Sequence, residues 1–194
     1  MSRAATDPTP HRRTGLGWAV FLVLGALLST MAFAGPAEAH HRHANNTDFR
    51  VASFNLLGYS HTGKHGRDGF TDGRTRMGYA NRFLNYWGID VVGFQEFQPE
   101  QRATFMSLTG SSWENFPGDT MSRIDMHNSL SWRTAAWQAI EKHTIKIPYF
   151  DGEPVDMPYV LLKNIATGRL VWFANFHNPA SVYGPAQKWR TEAM

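Results

Sequence analysis

Three polar side chains close hydrophobic runs in this sequence, and together they carry the chemistry of a divalent-ion site. Asn55 ends the run FRVASFN, Glu96 ends DVVGFQE and His177 ends LVWFANFH. An amide oxygen and a carboxylate are hard donors of the kind Mg2+ and Mn2+ prefer. An ion held this way can polarise a phosphoryl oxygen or lower the pKa of a bound water. An imidazole beside it can move a proton near neutral pH, ordinarily worth about 10²–10⁴-fold in rate. Each residue alone has a plainer use: Asn in a turn, Glu in solvent, His packed against a core. Their joint appearance at strand ends singles them out.

The elements that would position them follow from periodicity. Phe49 to Leu57 alternates as a strand, with Val51, Ser53 and Asn55 on one face. Gly58 to Gly78 is rich in glycine and is expected to hold no regular structure. Its Lys64, Arg67, Arg74 and Arg76 could meet an anion or only solvent. A helix is expected over Tyr79 to Trp87, stopped by Gly88, then a strand over Ile89 to Phe94 and a helix over Pro99 to Leu108. Gly110 to Asp119 reads as loop. Strands are expected over Ser129 to Thr134, Ala139 to Ile147, Met157 to Asn164 and Leu170 to Phe176, with a turn at Thr167-Gly168. A last helix opens near Pro185. Alternating strands and helices, then a run of strands, indicate an α/β domain with a partly antiparallel sheet.

Composition bounds the class. The 194 residues are 42% hydrophobic and 18% charged, which excludes a disordered chain and allows one domain with a real core. The formal charge of +3 is too mild to argue for nucleic acid. With no Cys there is no disulfide framework, thiolate zinc site or Cys nucleophile.

The N-terminal segment reads as a targeting signal. Arg12 and Arg13 precede the apolar run from Gly15 to Ala34, and the small-residue site Ala37-Glu38-Ala39 follows. Residues 1–39 are therefore expected to be a secretory signal peptide cleaved after Ala39, giving a secreted, extracellular protein. The run is also long enough for an uncleaved membrane anchor. Residues 40–48 read as a flexible leader whose His40, His41 and His43 could bind a transition metal or simply be solvated.

Four stretches resemble successive blocks of the endonuclease/exonuclease/phosphatase family: RVASFNLLGYSHT, DVVGFQEFQPEQ, HNSLSWRTAAWQ and LVWFANFHNPA. The resemblance spans residues 49–194. It implies an α/β four-layer α-β-β-α sandwich of the deoxyribonuclease-like type, and phosphodiester or phosphomonoester hydrolysis with Mg2+ or Mn2+. It maps Asn55 and Glu96 onto metal-binding positions. It maps His177 onto the phosphate-contacting His that serves as general acid. Asn128 and Arg133 fall in the third block as substrate-binding candidates, Arg133 because guanidinium binds phosphate bidentately. A surface role is its plainer alternative.

The sequence departs from the family in Asn178-Pro179, where a Leu usually follows the His. It also carries no Gly-Asp-x-Asn and no Ser-Asp-His block, and neither Asp nor a second His follows His177. The expectation is a domain with its C-terminal part missing, weak or inactive by itself, with an apolar sheet face prone to association. The competing reading is a non-catalytic exported fragment acting as a binding module. The substrate would be a phosphate ester: nucleic acid, phospholipid or small molecule. No stable protein partner is expected.

Overall fold

The computed structural model describes residues 48–118, 127–182 and 184–194, so the expected signal peptide and most of the His-rich leader lie outside the described residues. Two sheets carry the fold. The first has strand order β1-β2-β4-β3, built from β1 (Val51–Asn55), β2 (Val91–Gln95), β3 (Trp113–Phe116) and β4 (Ser129–Arg133). The second is an antiparallel sheet of β5 (Trp137–Pro148), β6 (Pro154–Asn164) and β7 (Leu170–Ala174).

β1 and β2 run parallel with Asn55 opposite Gln95, so both strands end at the same sheet edge. A parallel pair needs a crossover, supplied here by α1 (Tyr59–Thr62) and α2 (Gly73–Tyr86). This corrects two expectations. The glycine-rich stretch holds a short helix, and the longer helix starts at Gly73 rather than Tyr79. The cause is Asp72, an N-cap whose carboxylate accepts from the backbone N–H of Arg74 and Thr75 and from the Thr75 hydroxyl. Trp113–Phe116 is a strand where a loop was expected. Trp113 is buried against Phe105, and Asn115 and Glu114 bond to groups on β4.

All five residues of β2 are buried, because both faces of its sheet are covered. Val92 and Phe94 pack with Met77, Ala80 and Leu84 of α2 and with Phe105 of α3 (Pro99–Thr109). Val91, Leu130 and Trp132 pack with Trp137, Val160 and Leu162 of the second sheet. A last helix, α4 (Gln187–Glu192), is followed by Ala193, which packs against Ile147, Val155 and Met157. Among the described residues no helix is long and apolar enough to cross a membrane.

A buried amide joins the two sheets. Asn175, just past β7, donates from Nδ2 to the carbonyls of Phe94 (2.7 Å) and Ser129 (3.1 Å). Its Oδ1 accepts from Gln95 Nε2 at 2.6 Å. Gly93 leaves the room for this, since a Cβ there would lie 2.6 Å from Asn175 Oδ1. The bonds fix where the chain leaves β7, two residues before His177.

Candidate active site

Glu96 follows β2 with φ of +56°, a left-handed conformation uncommon for a residue with a Cβ. Such strain persists only where the surroundings over-determine it, and here they do. Oε1 accepts from Asn55 Nδ2 at 2.8 Å and Oε2 from the Gly58 backbone N–H at 2.9 Å. His61 Nε2 lies 3.3 Å from Oε2. Asn55 in turn accepts from the Leu57 N–H through Oδ1 (2.9 Å).

The segment after Glu96 clamps the loop that follows β1. Gln98 accepts from the Ser60 N–H (2.7 Å) and donates to the Ser60 hydroxyl (2.8 Å). Gln101 accepts from the Tyr59 N–H (3.2 Å) and donates to the carbonyls of Leu56 and Leu57. Gly58 is required by close approach, since a Cβ there would lie 2.7 Å from Gln98 Nε2. Arg76 donates to the carbonyls of Leu56, Leu57 and Thr71 and to the Thr62 hydroxyl. Of the other basic residues in this stretch, Arg67 donates to the His61 carbonyl and Arg74 lies over the Tyr59 ring.

His177 comes to the same carboxylate from the second sheet, close enough that Glu96 and His177 shift each other's titration. Tyr149, beyond the end of β5, lies 3.4 Å from His177 Nδ1 through its hydroxyl. Burial opposes ionisation of Glu96. The Gly58 and Asn55 hydrogen bonds and the two histidines outweigh it and hold its pKa below the ordinary value. Burial pushes the His177 imidazole below its ordinary pKa, against the pull of Glu96. The Tyr149 phenol is pushed up to about 12, by burial first and then by the Glu96 charge. At neutral pH the arrangement is an ionised carboxylate, a neutral imidazole and a protonated phenol. The Tyr149 hydroxyl and His177 Nδ1 share one contact, in which the imidazole tautomer sets the donor.

The sequence candidates divide between two places. Asn55, Glu96 and His177 come together. Asn128 lies at the same sheet edge, directly before Ser129, which pairs with Phe94. It is buried, and its Oδ1 has no hydrogen-bond partner among the described residues. Arg133 does not join them. β4 runs antiparallel to β2, which puts Arg133 at the far end of the strand. There it donates to the Ile89 carbonyl (2.7 Å) and Asn85 Oδ1 (2.8 Å) and lies over the Trp113 ring. His61, Tyr149, Gln98, Gln101 and Asn175 complete the site and its supports, and none was singled out from sequence.

Among the described residues there is no group of three His, Cys, Asp or Glu placed to hold a metal. A single carboxylate still suits Mg2+, which keeps most of its waters and uses one or two carboxylates; Asn55 faces Glu96 through Nδ2, so its oxygen would reach an ion only after the amide turned from the Leu57 N–H.

No protein-family profile matches the sequence, and no curated protein does. Solved structures do match. An endonuclease/exonuclease/phosphatase family protein from Bacteroides thetaiotaomicron aligns at TM-score 0.57 and 20% identity, over 75% of this chain and 54% of that one. One from Bacteroides vulgatus aligns at 0.53 and 17%, over 67% and 52%. The human Nocturnin catalytic domain, solved with a bound sulfate anion, aligns at 0.51 and 14%, over 75% and 54%. The chain has the α/β fold of the endonuclease/exonuclease/phosphatase proteins, and it spans about half the length of the structures it matches.

Proposed function

We propose that this chain carries the ion-binding half of an exported, Mg2+-dependent phosphoesterase site. The observation that carries the reading is Glu96, held ionised in a left-handed conformation where four elements converge. Asn55 and Glu96 would hold the ion, with Mn2+ as the alternative. When bound, the ion would neutralise charge on a phosphoryl group and acidify a bound water. His177 would contact the scissile phosphate and, once protonated beside the anionic ester and the Glu96 carboxylate, would donate its Nε2 proton to the leaving oxygen as general acid and remain as neutral imidazole. Tyr149 would hold the ring in place through Nδ1. Asn128, with its unpartnered oxygen at the same edge, is the substrate-binding candidate that the geometry favours over Arg133. The substrate is a phosphate ester of nucleic acid, phospholipid or small-molecule type. The sulfate held by the Nocturnin domain, an anion of phosphate-like shape and charge, is in keeping with this. Export rests on the N-terminal pattern of Arg12-Arg13, the apolar run and Ala37-Glu38-Ala39.

The test is hydrolysis of bis(p-nitrophenyl) phosphate and p-nitrophenyl phosphate by the full chain, with MgCl2 and with EDTA. Hydrolysis that needs Mg2+ and falls at least about a hundredfold in Glu96→Gln is expected, since the ion supplies several kcal/mol of charge stabilisation. A folded chain that neither hydrolyses these esters nor binds Mg2+ in titration calorimetry would sink the proposal. A second reading, a non-catalytic binding module, is favoured by the thin ligand set of a single carboxylate. Mg2+ binding lost in Glu96→Gln, without hydrolysis, would select it.

A further inference from the structure

We propose that a pocket beyond Tyr149 is the subsite for a sugar ring, so that the ester taken by this site is a monosaccharide phosphate. The assignment rests on the phosphoesterase reading of Glu96 and His177. The pocket, of about 170 Å3, is lined by Phe150, Asp151, Ala180, Pro185, Ala186 and Trp189. It adjoins His177. The Tyr149 ring is 5.9 Å from the His177 ring and 4.6 Å from the Phe150 ring, and Ala180 lies a short step along the chain from His177. Since His177 gives its proton to the leaving oxygen, the alcohol part of the ester lies on this side.

The walls are fixed without a ligand. Gly152, in the turn between β5 and β6, has φ of +82°, and a Cβ there would lie 2.7 Å from the Trp189 ring. The glycine therefore lets the indole seat against the turn. Arg190, next to Trp189, donates from Nη1 to the Pro179 carbonyl (2.9 Å) and to the Ser181 hydroxyl (3.2 Å). These bonds tie α4 to the segment that follows His177. Asp151 stands in the same turn at φ of +57°, a conformation that Asp adopts more readily than most residues. It is exposed, and among the described residues its carboxylate has no hydrogen-bond or ion partner.

The lining selects the ligand. Two aromatic rings and one carboxylate match a group that is apolar on its faces and hydroxylated at its edge. A sugar ring is such a group: its C–H faces can lie on Phe150 and Trp189 while its hydroxyls donate to Asp151. An acyl chain would strip water from the carboxylate and return no hydrogen bond. An organic cation is disfavoured, because the Lys188 ammonium already lies 4.4 Å over the Trp189 ring and offsets the Asp151 charge. Size decides against a purine. A cavity of about 150 Å3 holds one six-membered ring, and this one is only slightly larger.

Saturation-transfer NMR on the full chain, without Mg2+, tests it with the methyl glycosides of glucose, mannose and ribose. Transfer to the ring C–H protons is expected, and the tightest binder fixes which ring the pocket takes. Affinity is expected to fall about tenfold in Asp151→Asn and by at least as much in Trp189→Ala. Asn accepts the positive φ, so Asp151→Asn should fold even if Trp189→Ala does not. With Mg2+ present, the kcat/KM for the matching sugar phosphate, divided by that for p-nitrophenyl phosphate, is expected to fall about tenfold in Asp151→Asn. The nitrophenyl group has no hydroxyl to offer that carboxylate. No transfer to any of the three glycosides, or binding that Asp151→Asn leaves unchanged, would overturn the subsite, even in a chain that hydrolyses p-nitrophenyl phosphate. Glycoside binding lost in Asp151→Asn, in a chain that hydrolyses no ester, would keep the subsite and overturn the phosphoesterase reading instead.

Discussion

Gly93→Ala tests the joint between the two sheets. The new methyl would lie 2.6 Å from Asn175 Oδ1 and 2.8 Å from its Cγ, well inside van der Waals contact. Both Gly93 and Asn175 are buried, so the carboxamide has nowhere to swing without leaving its partners. It would give up three hydrogen bonds, to Gln95 Nε2, the Phe94 carbonyl and the Ser129 carbonyl. At about 1 kcal/mol each, with buried carbonyls left unsatisfied, the expected loss is about 3 kcal/mol. For a urea m-value of about 2 kcal/mol/M this shifts the unfolding midpoint down by about 1.5 M, read by the fluorescence of buried Trp132 and Trp137. Asn175→Ala should lose about the same amount by removing the same bonds. The double variant should be no worse than Asn175→Ala alone, because the methyl then has space. The coupling energy should therefore be about 2–3 kcal/mol, at the upper end for residues in contact. Additivity within about 0.5 kcal/mol, or a Gly93→Ala protein as stable as the parent, would refute this account.

Four further outcomes are expected. If His177 is the general acid, His177→Ala should lower phosphoester turnover about 10²–10⁴-fold, and Tyr149→Phe should lower it less while altering the alkaline limb of the pH–rate profile, where the acid loses its proton. Acid should destabilise the protein in two windows. His177 has a folded pKa below 6.5, so its contribution is intact above 6.5 and falls as pH drops through the folded value. Glu96 behaves likewise below 4.5, and urea titrations of His177→Ala and Glu96→Gln should each lose one window. Asp72→Ala should cost about 1 kcal/mol of stability through the lost helix cap, seen as a lower thermal midpoint. Arg133→Ala should leave KM unchanged and lower stability by about 1–3 kcal/mol, since it frees a buried carbonyl at the end of the fold away from Glu96.

Much of the fold was legible because hydrophobic periodicity reports burial, and the strands here are buried on one face or both. Asn55, Glu96 and His177 stood out because a polar residue ending an apolar run has no packing reason to be there. His61 gave no such signal. It sits in a glycine-rich stretch whose order is imposed by Gln98 and Gln101, distant in sequence, and by Arg76 from the stretch's own far end. Tyr149 was hidden because its strand is a charged edge with weak alternation, so nothing marked where that strand would end. Asn128 and Arg133 stand at opposite ends of the same short strand, and only one end of it can reach a given sheet edge. The sequence does not say in which direction β4 runs. Asn175 looked like one polar residue among several, and its role required knowing that Gly93 lies across from it.

The convergence of Asn55, Glu96, Tyr149 and His177 also bears on how the protein acquires its site. These residues come from both sheets and lie far apart in the chain, and β1 cannot pair with β2 until a long crossover has closed. Contacts of such high sequence separation form late and slowly, because loop-closure entropy is lost before any pairing is gained. A chain emerging from synthesis or export would therefore have its helices well before it had its site. Ion binding at Glu96 would then serve as a reporter of completed folding, and its recovery after dilution from urea should lag behind the return of helical circular dichroism.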